Sequence, residues 1–154
     1  MMLSVKHIGD LDAARGARVQ SDWRSLTQEM IDTFADVTGD HQWVHVDRVR
    51  ASAESPYHTT IAHGFLTLGL LSAMLGECFS TAAAASINYG LDRIRFVAPV
   101  PSGSRVRGNF TLAGVSRNGE AAADLTWNVE VEIEGTSKPA LVATWIIRVI
   151  FSPP

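Results

Sequence analysis

The sequence predicts an α+β fold in which a helical first half is followed by an antiparallel sheet curved around one long apolar helix. Apolar residues recur at helical spacing over residues 28–37, and a segment over residues 59–79 is hydrophobic on every side. The second half of the chain is dominated by strand-like patterns. A helix that is apolar all round must be buried all round, and a wrapped sheet can bury it. We expect one domain over residues 1–154.

Composition and charge exclude several classes of protein. The 154 residues are 46% hydrophobic and 19% charged, and 13 basic against 16 acidic side chains give a net charge of −3. No long basic run is present, so no nucleic-acid partner is expected. The single cysteine, Cys78, cannot form an internal disulfide. The N-terminus has no apolar block of signal-peptide length, and His63 and Glu77 interrupt the longest apolar segment. We therefore expect a cytoplasmic protein without a membrane partner.

The first half begins with an extended segment over residues 18–25 and continues with a capped helix. Thr27 can cap a helix over residues 28–37, and acidic side chains in its early turns suit the positive end of the helix dipole. Gly39 suits the left-handed conformation that ends such a helix. Asp40 is therefore expected to start a loop directly after a helix terminus.

The middle of the chain is predicted to be a loop followed by the apolar helix. Residues 47–57 are small and polar and include Pro56, so they are expected to form a loop with a short helical turn. Thr59 or Thr60 opens the second helix, which is expected to run to about Phe79.

Four strands are predicted in the second half, over residues 86–100, 104–117, 123–135 and 140–151. The third alternates apolar and polar residues with a period of two, which indicates a strand with one wet face. Asn118-Gly119 is a hairpin signal between the second and third strands. The fourth strand is apolar on both faces, which is typical of a central strand.

The stretch "FADVTGDHQWVHVD" holds the residues most suited to chemistry. Asp40 and His45 can face one another across a tight turn and hold a water, with one group taking a proton and the other donating it. The same contact is often structural, and spacing alone favours that interpretation. His41 and His45 are four apart, as in zinc proteases, but Gln42 replaces the catalytic glutamate and Gly39 ends the helix.

Other catalytic motifs are absent from the sequence. No G-x-S-x-G elbow indicates a serine hydrolase, and neither a P-loop nor G-x-G-x-x-G is present. Cys78 lies in the predicted buried helix, where an inert packing thiol is expected. His63 lies beside a predicted helix start, where a histidine more often makes a structural hydrogen bond than acts in catalysis.

Four segments of the chain carry a resemblance to a known family: "TGDHQWVHVD", "TTIAHGFLTLGLLS", "INYGLDRIRFVAPVPSGSRVR" and "SKPALVA". They resemble the MaoC-like dehydratases, the (R)-specific enoyl-CoA hydratases. The resemblance is strongest to the single-domain bacterial branch that includes nodulation protein N-like proteins, and it covers nearly the whole chain. It implies the hot-dog fold, which agrees with the pattern described above.

The resemblance also implies a mechanism. Asp40 and His45 match the catalytic pair that binds the reacting water, and the Gly64 amide matches the donor to the thioester carbonyl. Water would add in a syn fashion across a trans-2-enoyl thioester to give an (R)-3-hydroxyacyl product. No metal or redox cofactor is implied, because CoA is part of the substrate.

Further substrate contacts are implied less directly. Ser72 matches a serine that supports the catalytic aspartate in relatives, and Asn88 and Tyr89 lie where relatives approach the mouth of the active site. Gln42-Trp43 replaces the Asn-Pro of many members, which leaves loop shape and acyl-chain preference open. The arginine pairs at positions 93 and 95 and at 105 and 107 each share a strand face and could meet CoA phosphates, although a solvated face explains any one of them better.

Three rival functions remain beside the hydratase, and one of them, a metal-binding module, would need stoichiometric zinc or another metal in the purified protein. A hot-dog acyl-CoA thioesterase would share the fold and the substrate but would not need the Asp40–His45 pair. A non-catalytic acyl-thioester-binding subunit is the third, and intact catalytic residues argue against it. By resemblance the protein is expected to form a homodimer, and the sequence leaves open whether CoA or an acyl-carrier protein delivers the substrate.

Overall fold

The computed structural model describes residues 2–152 and has the α+β architecture that the sequence predicts. In chain order the elements are β1 (Leu3–Val5), a 3-10 helix (Ile8–Leu11), β2 (Arg18–Gln20), β3 (Arg24–Ser25), α1 (Gln28–Thr38), α2 (Trp43–Val46), α3 (Arg48–Glu54), α4 (Gly64–Gly69), α5 (Leu71–Cys78), β4 (Phe79–Thr81), β5 (Ala85–Phe96), β6 (Arg105–Asn118), β7 (Ala122–Ile133) and β8 (Leu141–Ile150). No helix within residues 2–152 is long and apolar enough to span a bilayer.

The main sheet is antiparallel and has the strand order β2-β6-β7-β8-β5, with β3 also paired to β6. The short strands β1 and β4 form a separate parallel pair. Asn118 is the last residue of β6 and pairs with Ala122, and Gly119 begins the turn to β7 with a φ of 77°, so the predicted hairpin is confirmed. Strand β8 lies between β7 and β5, which confirms its predicted central position.

The core lies between α5 and one face of the sheet. Met74 of α5 and Trp127 of β7 are both 0% exposed, and the Trp127 ring makes edge contacts with Phe79 and Phe110. The helix approaches β6 closely at Gly108, where an added Cβ would lie 3.4 Å from the Met74 sulfur. Burial of these large side chains is the main source of stability, because removing apolar area from water contributes about 25 cal/mol per Å².

Helix α1 has the boundaries that its sequence predicts. The Thr27 hydroxyl caps it by accepting a hydrogen bond from the Met30 N–H at 3.3 Å. Gly39 ends it with a φ of 77°, and the Gly39 N–H donates to the Ala35 carbonyl. The loop that carries Asp40 is thereby fixed directly after a rigid helix terminus.

The predicted single helix over residues 59–79 is wrong in its start and its continuity. The backbone N–H groups of Ile61 and Ala62 donate instead to the carbonyls of Val44 and Val100, so these residues are held extended. The helical part begins at Gly64 and is divided at Leu70 into α4 and α5.

The expected loop over residues 47–57 also contains more helix than predicted. Its first half is α3, which Asp47 caps by accepting a hydrogen bond from the Arg50 N–H at 2.9 Å. The expectation that the apolar helix is buried all round fails at Phe65, which is 69% exposed.

Candidate active site

The site is built where α1, the following loop and α2 meet the start of α4. Asp40 is exposed in the loop, and the Gln42 N–H approaches its Oδ1 at 3.4 Å. His45 lies on α2, a single helical turn, rather than on the loop that the sequence suggests. The turn buries the imidazole of His45 while leaving the carboxylate of Asp40 open to solvent.

Neighbouring elements form hydrogen bonds with both the ring and the backbone carbonyl of His45. Its Nδ1 lies 2.7 Å from the Ile61 carbonyl oxygen, and since a carbonyl only accepts, Nδ1–H donates and Nε2 remains available to a water. The amide of Gln28 in α1 donates to the His45 carbonyl at 2.8 Å. Thr60 in turn donates its hydroxyl to the Gln28 side chain. The ring therefore has one fixed tautomer and a fixed position.

Burial is the main cause that lowers the pKa of His45 below its ordinary value of 6.5, and the nearby His63 acts in the same direction. The Ile61 carbonyl and the Asp40 carboxylate oppose this shift and raise the pKa, but the net direction is down. The neutral imidazole therefore persists to lower pH than in an exposed histidine. A neutral Nε2 can take a proton from water, which is what general-base chemistry requires.

His63 lies against this pair, and it makes the structural hydrogen bond that the sequence suggests. Its Nε2 donates to the Asp40 carbonyl at 2.9 Å, and its ring stacks on His45 with centroids 3.8 Å apart. Asp40, His45 and His63 each have one side-chain atom that could bind a metal ion, and these three atoms lie within 4.8 Å of one another. The two rings are only 26° from parallel, so their in-plane lone pairs do not converge on one point as metal ligands would. His41 instead lies exposed, 3.7 Å from Asp36.

A cleft of about 360 Å³ opens beside His45 and is lined mainly by apolar side chains. Gly64 lines it at the first position of α4, and within residues 2–152 its N–H meets no acceptor. An added Cβ at this position would lie 2.9 Å from two ring carbons of Phe96. The glycine thus allows a close approach between the start of α4 and β5, with an amide donor left available in the cleft.

Ser72 and Asn88 line two smaller cavities further along the same helix face, of about 200 and 250 Å³. Phe65 borders both the cleft beside His45 and the smaller of these cavities, and we refer to the cleft and the two cavities together as the groove. The indole N–H of Trp145 donates to the Asn88 side chain at 2.7 Å. Trp145 was missed in the sequence because only the register of β5 against β8 brings it to this groove. Within residues 2–152, Ser72 makes no hydrogen bond with Asp40 in this structure.

Tyr89 does not join the groove. Its ring lies under the guanidinium of Arg148, 4.3 Å from the ring centroid, on the face of the sheet away from the helices. Arg148 also forms a two-point ion pair with Asp124 at 2.7 and 2.8 Å. Neighbouring residues of a strand point to opposite faces, so the pattern itself separates Tyr89 from Asn88. A larger concavity of about 830 Å³ lies on that outer face and contains none of the predicted site residues.

The two arginine pairs differ in their surroundings. Arg105 and Arg107 are each ion-paired with a glutamate at or just after the end of β7, and both guanidinium groups lie near Trp23. Arg93 and Arg95 are exposed on β5 and have no acidic partner within residues 2–152. The β5 pair is therefore the one left available to an anionic ligand.

Comparison with known proteins agrees with the fold. The MaoC like domain model matches residues 11–134. The chain is 48% identical over 151 residues to a 3-hydroxyacyl-thioester dehydratase Z from Mycobacterium tuberculosis, covering 97% of this chain and 99% of the relative. It is 49% identical over 136 residues to nodulation protein N of Rhizobium leguminosarum bv. viciae, covering 87% and 84%.

The crystal structure of a MaoC-like dehydratase from Rhodospirillum rubrum superposes with a TM-score of 0.78 at 20% identity, covering 96% of this chain and 99% of that one. The similarity confirms the predicted hot-dog fold. Sequence and structure agree along almost the whole chain, and on these grounds the chain belongs to the MaoC-like dehydratase family.

Proposed function

We propose that the protein is an (R)-specific enoyl-CoA hydratase that adds water reversibly to trans-2-enoyl-CoA and gives (R)-3-hydroxyacyl-CoA. The observation that carries the proposal is the meeting of Asp40 and His45 beside an apolar cleft, with polar side-chain atoms within 4.8 Å of each other. One water placed between them can contact both groups, since each contact needs about 2.8 Å. The family relationship supports a hydro-lyase activity, and the dehydration direction uses the same groups.

In the proposed reaction the Asp40–His45 pair carries out both proton transfers, one from the water and one to the α-carbon. The water oxygen attacks the β-carbon while one of the pair takes a water proton, and the pair then delivers a proton to the α-carbon. The negative charge that collects on the thioester oxygen between these steps is stabilised by the Gly64 N–H. In this scheme the same pair activates the water and delivers the proton from one face of the substrate, which gives syn addition. No metal or redox cofactor takes part in this scheme, and the CoA belongs to the substrate.

The acyl chain is proposed to lie along the groove beyond Gly64. The groove passes Ser72 and Asn88, which keeps them as substrate-binding residues in the proposal, while Tyr89 would need a substrate that reaches the other face of the sheet. Arg93 and Arg95 stand on the strand that borders the cleft at Phe96, so they are the proposed contacts for the CoA phosphates.

A homodimer is proposed to complete the outer side of this groove. Strand β5 ends the sheet, and its second edge has no partner strand within the described chain. The strand and the residues beside it expose large apolar side chains: Phe65, Ile87, Leu91, Phe96 and Val97 are 39–69% exposed. A long apolar edge of this kind is typically covered by another chain. A monomer at micromolar concentration in light scattering would contradict the homodimer.

The proposed reaction is tested by following the loss of enoyl-thioester absorbance with crotonyl-CoA and a longer trans-2-enoyl-CoA, with chiral analysis of the product. Asp40→Asn and His45→Ala are each expected to lower the rate by about 10² or more while the fold is retained. Asp36→Asn is the matched control, since Asp36 is an exposed acid on α1 outside the cleft. Release of CoA would favour a thioesterase instead. Near-wild-type turnover in Asp40→Asn would remove the pair from the mechanism.

A further inference from the structure

His63 carries a buried polar atom that its surroundings do not satisfy. The side chain is 3% exposed, and its Nε2–H donates to the Asp40 carbonyl at 2.9 Å. In the neutral ring Nδ1 then holds the lone pair. Within residues 2–152 no donor reaches this buried Nδ1. An unsatisfied buried acceptor costs stability, so a residue kept only for packing would be expected to lack one.

The His63 ring lies between two aromatic rings from different elements. Phe34 of α1 contacts it with a centroid distance of 4.9 Å, and His45 of α2 stacks on it at 3.8 Å. Together with the bond to the Asp40 carbonyl, these contacts join α1, the Asp40 loop and α2 through one side chain. His63 also directly precedes Gly64, so the same residue is linked to the start of α4.

We infer that His63 is a positioning residue, whose hydrogen bond fixes the Asp40 loop and whose ring fixes the plane of the His45 imidazole. The inference rests on the proposed function, because it assigns His63 to the reaction of the Asp40–His45 pair. His63 acts through both members of the pair and does not itself exchange a proton with substrate. A displacement of the reacting groups by about 1 Å is enough to lower a rate 10²-fold, so this alignment matters.

Histidine is suited to this position because its side chain both donates a hydrogen bond and stacks as an aromatic ring, whereas phenylalanine and glutamine can each do only one of these. Phenylalanine would keep the stack on His45 but could not donate to the Asp40 carbonyl. Glutamine could donate at a similar reach but has no ring to stack. Two variants, His63→Phe and His63→Gln, therefore remove the two functions separately.

The test compares these variants with the wild-type protein in hydration kinetics and thermal unfolding. Each variant is expected to lower kcat about 10- to 100-fold and to change KM by less than about threefold, because substrate binding is left intact. His63→Phe is expected to unfold within about 4 °C of the wild type, since it removes the unsatisfied atom along with the hydrogen bond. Ser21→Ala is the matched control: Ser21 is 5% exposed and bonds to the Gly108 N–H far from the cleft. That variant is expected to lower Tm without changing kcat.

Coupling to Asp40 separates positioning from a general structural effect. If His63 acts through Asp40, then His63→Phe should lower kcat much less in an Asp40→Asn background than in the wild type. Equal losses in both backgrounds, or an unchanged kcat in both single variants, would overturn the inference.

Hydrogen exchange of the amides of residues 40–42 provides a readout that does not depend on turnover. Faster exchange is expected in His63→Phe, which lacks the bond to the Asp40 carbonyl, and smaller changes in His63→Gln. Absence of hydration by the wild-type protein would overturn the proposed function, and the exchange measurement would still decide whether His63 holds the loop. Unchanged exchange in His63→Phe would show that it does not.

Discussion

Replacing Gly64 by alanine tests whether the close approach of α4 to β5 is needed for activity. The new Cβ would lie 2.9 Å from two ring carbons of Phe96, so the ring or the start of α4 has to move by roughly 0.5 Å to restore ordinary contact at about 3.4 Å. Phe96 is 47% exposed, so its ring has solvent to move into. The movement weakens the edge contact with Phe65, whose centroid lies 5.8 Å away. Such contacts contribute about 0.5–1.5 kcal/mol, which sets the expected loss of unfolding free energy at about 1 kcal/mol.

The effect on activity is expected to be larger than this loss of stability. Gly64 and Phe96 both line the cleft beside His45, so either displacement moves the Gly64 amide or narrows the space that we propose for the thioester. We expect kcat/KM for enoyl-CoA hydration to fall about 10- to 100-fold, while Tm falls by about 2–4 °C.

Gly9→Ala is the matched control, because Gly9 also lies in a helical turn, lines neither the cleft nor the two cavities beyond it, and an added Cβ there meets no atom within 4 Å. It is expected to leave kcat/KM unchanged. Steady-state kinetics and urea unfolding of the two variants decide the matter. Full activity in Gly64→Ala, with unfolding free energy at the wild-type level, would refute the argument from close approach.

Three further predictions concern pH, chain length and the thiol. Because burial lowers the pKa of His45, the acid limb of the pH profile of kcat/KM should lie below pH 6.5, and a limb above pH 6.5 would contradict the assignment. As the pH falls below 6.5 the unfolded chain binds more protons than the folded one, so the stability contributed by neutral His45 should be lost there. Ser72→Phe should fill the groove beside Asn88 and lower kcat/KM for long enoyl-CoA substrates by about tenfold or more while sparing crotonyl-CoA, and equal effects on both would place the acyl chain elsewhere. Cys78 is 2% exposed and burial raises the pKa of its thiol to about 11, so a thiol reagent at pH 8 should label it only after denaturant is added, with labelling of the native protein as the contrary result.

Local patterns in the sequence determined most of the secondary structure. Thr27 and Gly39 mark the ends of α1 because capping and left-handed backbone depend on the residue itself. The period of two in β7 and the Asn118-Gly119 turn likewise predict a hairpin from short-range chemistry. The position of Asp40 directly after a helix terminus followed from the same signals.

The tertiary structure alone decided how the site is assembled. Ile61 and Ala62 have helix-compatible neighbours in sequence, but their N–H groups pair with distant carbonyls, so the helix starts only at Gly64. The stacking of His63 on His45 joins residues 18 positions apart, and the bond between Asn88 and Trp145 depends on strand register across 57 positions. The hydrophobic periodicity of the sequence does not predict such contacts, because they depend on which elements pack together. The sequence by itself determined the fold class and indicated Asp40 and His45 as the candidate pair, and packing decided which side chains surround them.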